Sequence, residues 1–87
     1  MSKYASGTID ANDEVVGPVS IARDQVGMLT VDWTAGVITL QASMDGTNWI
    51  AVEDGYGADT VKQITGWGQY RVIGSGTPNA VCHLAVQ

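Results

Sequence analysis

The chain has one cysteine, no phenylalanine, two prolines and four Lys+Arg residues. Each shortage excludes something. One cysteine makes no intrachain disulfide, and Cys82 with His83 falls short of a four-ligand zinc site. Four Lys+Arg against nine Asp+Glu, a net charge of −5, argue against a nucleic acid held through its phosphates. No run approaches about 18 apolar residues, so no membrane span is expected. The opening Met-Ser-Lys-Tyr-Ala-Ser-Gly lacks the apolar core of a signal peptide, so synthesis in the cytoplasm is expected. The 87 residues make one domain. Surface scaling buries only about 63% of the unfolded surface at this size, which is a thin core. With disulfide and metal staples missing, oligomerisation is the remaining reinforcement.

Strand and turn chemistry is what the chain does have. Eleven glycines divide it into short runs of Val, Ile, Thr, Leu and Trp, and no window keeps a helical apolar stripe free of glycine. Residues 1–13 read as a flexible polar arm, with strand character only near residues 8 and 9. Residues 14–87 read as the folded domain. Residues 14–22 are extended but broken at Gly17-Pro18, and proline donates nothing to a ladder, so this strand is an edge or bulged. Residues 27–34, 37–44, 48–52, 60–65, 69–73 and 80–86 read as further strands. Turns are expected at Ala35-Gly36, at Asp45-Gly46-Thr47 and over residues 74–79. The expectation is an all-β fold, a single antiparallel β-sandwich of seven to eight strands, with jelly-roll-like connectivity slightly favoured over immunoglobulin-like. Trp33 alternates in phase with Leu29 and Val31, towards the core. Cys82 shares the inward face of the last strand with Ala80, Leu84 and Val86.

Catalytic chemistry finds no support. Cys82 and His83 are strand neighbours, and alternation sends them to opposite faces, which disfavours a Cys-His dyad. Glu53, Asp54 and Asp59 share a glycine-rich loop but fall short of the six oxygens calcium wants. No two acids are marked as glycosidase partners, and Gly74-Ser75-Gly76 lacks a strand-to-helix elbow. The expectation is a protein that is not an enzyme, with no metal and no cofactor. Trp49, Trp67 and Tyr56 are the candidate binding residues, as an interface or a stacking surface. Packing in the core or between subunits is the commoner fate of such side chains in a small domain.

The most distinctive stretch is residues 37–52, V-I-T-L-Q-A-S-M-D-G-T-N-W-I-A-V. Its hairpin signature is Leu40, Ser43, Asp45, Gly46 and Trp49. Asp-Gly supplies the positive-φ turn, Leu40 points inward, Ser43 bonds the loop backbone, and the indole covers the open end. The stretch resembles the apolar-x-Leu-x-x-Ser-x-Asp-Gly-x-x-Trp pattern of small tailed-bacteriophage structural proteins. Gln69-Tyr70-Arg71-Val72, then a turn and a closing strand, is similar to them as well. The resemblance spans residues 26–87. It implies a virion protein of the head decoration (cement) type, a β-sandwich on the outer capsid surface. Its implied partners are the major capsid protein and copies of itself, often as a homotrimer, with neither nucleic acid nor membrane involved. The alternative is a small carbohydrate- or receptor-binding module of a phage tail or fibre, with a glycan as partner.

Overall fold

Period-two alternation dictates the elements. The computed structural model, which describes residues 3–87, shows β1 (Lys3–Ile9), β2 (Val15–Ile21), β3 (Gly27–Ser43), β4 (Ile50–Ala51), β5 (Thr60–Ile64) and β6 (Gly68–Val86). The fold is all-β, and the six strands form one antiparallel sheet. β3 and β6 are 17 and 19 residues long and pair from Gly27↔Val86 through to Ser43↔Gln69. Around residues 27–33 of β3 and 80–86 of β6, the flanking strands are β5 and β1. Around residues 37–43 and 68–75 they are β4 and β2. The sheet thus has two wings joined by two shared strands. Their inner faces meet in a single core, with Leu29, Cys82 and Leu84 from one wing and Leu40, Val72 and Ile21 from the other.

Six strands in one sheet replace the expected seven or eight in two. The expected turns at Ala35-Gly36 and residues 74–79 are a single crease, where β3 and β6 bend together without breaking. Register shifts on either side of Ala35 mark bulges. Gly36 (φ 77°), Gly76 (φ 67°) and Thr77 (φ 58°) supply the left-handed backbone there. A bulge and a turn ask for the same positive-φ residues, so the local sequence reads alike for both. The Trp33 Nε1–H donates to the Gly36 carbonyl at 2.8 Å, which latches the crease.

The expected arm over residues 1–13 also needs correction. Residues 3–9 are β1, paired one to one with β6 from Lys3↔Val86 to Ile9↔Ala80. Met1 and Ser2 lie outside the described residues. Ile9 is fully buried, while Ala5 and Gly7 share its face opposite Leu84 and Cys82. Two of the three inward positions are therefore too small to show as an apolar stripe. β2 behaves as its proline requires. It pairs with β6 alone, and its register shifts between Val16 and Val19. The surface is 4963 Å², close to the about 4,900 Å² that scaling gives a monomer of this mass. Any pull towards partners must therefore come from the character of the surface rather than its extent.

Candidate functional site

The hairpin after β3 is built around one carboxylate. Asp45 Oδ1 accepts from the backbone N–H groups of Thr47 (2.8 Å) and Asn48 (2.9 Å) and from the Ser43 hydroxyl (3.0 Å). Its Oδ2 accepts from Asn48 Nδ2 at 2.9 Å. The Ser43 hydroxyl in turn accepts from the Gly46 N–H at 2.8 Å, and Gly46 has φ 78°. Leu40 is buried beneath, and Ser43 is the buried polar residue of the loop. Leu40, Ser43, Asp45 and Gly46 thus take the places their chemistry suggests.

These donors favour the charged carboxylate. The Asn48 and Thr47 backbone N–H groups, then the Asn48 and Ser43 side chains, hold Asp45 well below the ordinary carboxylate range. A depressed folded-state pKa contributes stability above the unfolded value, lost as pH falls towards the folded one. Asp45→Asn is therefore expected to melt below the wild type at neutral pH. The gap should shrink as pH drops below about 4, where the unfolded carboxylate protonates. Thermal melts across pH 2–7 check this, and a gap that stays constant with pH would contradict it.

Trp49 follows the loop and lies half-buried against the wing of residues 37–43 and 68–75, with the Arg71 guanidinium 4.3 Å from its ring centroid. The Arg71 Nε–H donates to Gln41 Oε1 at 2.8 Å, which fixes the cation over the indole. The arrangement depends on register, since Gln41 pairs with both Arg71 and Ala51. Nothing in the local sequence announces it.

Tyr56 is held from both ends. Its backbone N–H donates to the Ile38 carbonyl (2.7 Å) and its carbonyl accepts from Ile38 N–H (3.0 Å). Its hydroxyl donates to Glu53 Oε2 at 2.6 Å, and the ring packs on the core. Burial, then the Glu53 carboxylate, hold the hydroxyl well above the ordinary phenol range. Glu53 is lowered by the Tyr56 hydroxyl and by Lys62, whose ammonium lies 3.0 Å away.

Trp67 differs from both. It is 63% exposed on the bend before β6, between Gly66 (φ 107°) and Gly68 (φ 142°). The Tyr70 hydroxyl donates to the Gly66 carbonyl at 3.1 Å and anchors the bend. Trp67 borders an open concavity of about 350 Å³ whose other walls include Ala42, Met44, Ile50 and Tyr70. Asn48 and Ile50 line this concavity but Trp49 does not, and neither does Tyr56. The three aromatic candidates therefore do not form one stacking platform.

The remaining candidates are engaged elsewhere. Asp59 Oδ1 accepts from the Trp33 N–H at 2.8 Å, and Glu53 is shared between Tyr56 and Lys62. Among the described residues no three His, Cys, Asp or Glu side chains gather as metal ligands. Cys82 is buried, and burial pushes its thiol up to about 11. His83 stands exposed on the opposite face and shares a hydrogen bond with the Tyr4 hydroxyl, a pairing hidden while strand character is expected only near residues 8 and 9.

These features define a class by fold: an all-β chain whose single antiparallel sheet closes around one core. No protein family matches the chain, and no curated protein matches it in sequence. A solved structure of the disulfide-linked pili that form Bacillus endospore appendages is similar, at 14% identity and a TM-score of 0.59. The match covers 99% of this chain and 83% of that one. At such identity the likeness is one of fold.

Proposed function

We propose that this chain is a non-enzymatic structural subunit, a decoration protein that lies on the outside of a phage head as a homo-oligomer and contacts the major capsid protein. The observation that carries this reading is the outer face of the wing made by β1, β5 and their long partners. Its rows Tyr4–Ala85–Met28–Gln63 and Ser6–His83–Thr30–Val61 hold no carboxylate, ammonium or guanidinium group. Tyr4 (56% exposed), Met28 (42%) and Val61 (73%) stand in solvent on that face. The next row, Thr8–Val81–Asp32, brings in one carboxylate. Two rows without formal charge and three exposed apolar side chains, on a chain of net charge −5, suit burial against another protein. Many copies on a closed shell add weak contacts into avidity.

The fold likeness supports the structural part of the reading, since a similar fold builds pili in Bacillus endospore appendages. Their disulfide linkage does not carry over. A polymer linked through disulfides needs two cysteines per subunit, and this chain has only the buried Cys82. The phage placement draws on the sequence resemblance alone, in the hairpin motif and in Gln69-Tyr70-Arg71-Val72 with its closing strand. Mass spectrometry of purified particles should find this chain at high copy, and its absence from them would sink the reading. The exposed Trp67 favours a second reading, a glycan- or receptor-binding module of a tail or fibre. That reading requires a soluble glycan to shield the Trp67 emission from a quencher.

A further inference from the structure

Trp67 has a hollow on either side. Ala42, Met44, Ile50 and Tyr70 surround the first, of about 350 Å³. Ile21, Ala22 and Arg23 border the second, of about 490 Å³. Met44 (64%) and Ile50 (73%) are as exposed as the indole itself. Among the lining residues, Asp45 is the charged one of the first hollow and Arg23 that of the second. A ridge with two hollows, bearing opposite charges on its two sides, is self-complementary. A two-fold axis beside Trp67 exchanges the sides, so each indole enters a hollow of the other copy. The same rotation brings each Arg23 to the partner copy's acidic side.

We propose that this patch is a two-fold contact between copies of the chain, with Trp67 as the reciprocal anchor and Arg23 paired across the axis with Asp45. Charge selects a second copy as the occupant. Two chains of −5 repel each other, and this pairing opposes that repulsion where the copies touch. Asp45 Oδ2 accepts one hydrogen bond, from Asn48, and keeps acceptor capacity for a guanidinium. An indole seated in an apolar hollow beside an arginine is the kind of group that dominates interface energetics. The contact deepens the homo-oligomer part of the proposed function and is independent of its capsid part. It is also a two-fold contact, which a cyclic trimer does not contain.

Sedimentation velocity of the full chain from about 1 µM to about 1 mM tests it. The expected result is a reversible monomer–dimer equilibrium, weakened about thirtyfold or more by Trp67→Ala. Arg23→Glu, which opposes two carboxylates, should weaken it as well, and added salt should restore part of what Arg23→Glu loses. Both side chains are exposed, so both variants should keep the wild-type melting transition. A monomer throughout, a trimer without a dimer, or a dimer that either variant leaves as tight as before would each overturn the contact. None of these results bears on whether purified particles contain the chain, so the two readings fail separately.

Discussion

Gly36→Ala is expected to lower the melting temperature by roughly 12–24 °C, from a loss of about 3 kcal/mol. Gly36 sits at φ 77°, where an L side chain costs about 1–2 kcal/mol. A Cβ there would also lie 2.5 Å from Pro78 Cα and 2.8 Å from the Ser75 carbonyl oxygen. Both are backbone atoms of β6, so no rotamer change relieves the clash. Relief requires the two strands to part at the crease, a backbone shift of the kind that costs about 1–3 kcal/mol. A domain of this size has only about 4–13 kcal/mol in total. The control is Gly57→Ala, where the added Cβ would meet nothing within 4 Å. That variant should melt within about 8 °C of the wild type, since its change is about 1 kcal/mol at most. Calorimetry on the three proteins decides the matter. A Gly36→Ala protein that melts with the control would show that the crease tolerates a side chain.

The crease also marks where the sequence stops being legible. Inward and outward faces follow from alternation, and Leu29, Val31, Leu40, Cys82 and Leu84 lie buried where that alternation puts them. Glycine at residues 36, 74 and 76 announces a positive φ or a close approach, but the same glycines serve a hairpin turn or a pair of facing bulges. Which one forms depends on whether β3 and β6 pair on both sides of the bend, a contact between residues about forty positions apart. β1 was hidden for a different reason. Its inward positions Ala5 and Gly7, opposite Leu84 and Cys82, are small, and a propensity scale sees only the smallness.

The candidate site divides along the same line. The bonds within Ser43-Met44-Asp45-Gly46-Thr47-Asn48 are local, and each follows from the side chain's own reach. The fates of the aromatic residues are not local. Trp49 is covered because Arg71 comes beside it through the register of β6, and Tyr56 because its backbone pairs with Ile38. Trp67 is left in solvent by the bend between two wings. Its flanking glycines mark it as less protected, yet they do not say what it faces.

Leu84→Ala carries the other large effect, a loss of about 3–4 kcal/mol with a melting temperature lower by roughly 14–28 °C. Leu84 is fully buried and lies in one row between Ala5 of β1 and Leu29 of β3. Ala5 is already small, so the β1 side of the row offers nothing large to collapse into the space, which places the cost in the upper part of the range for such truncations. Val61→Ala, at 73% exposed on β5, should change stability by about 0.5 kcal/mol or less. Because both wings share one core, the loss should appear as a single lowered transition rather than as melting of one wing. Cys82 offers an independent reading of the same quantity. It is two residues from Leu84 on the same face, fully buried, with its thiol pushed up to about 11, so a thiol reagent reaches it through opening of the fold. A loss of about 3.5 kcal/mol raises the open population several-hundredfold. Labelling of Cys82 in Leu84→Ala should accelerate by that factor at neutral pH. An unchanged labelling rate beside a lowered melting temperature would mean that Cys82 is reached by local fraying of the β1 edge, and that the two wings do not unfold as one unit.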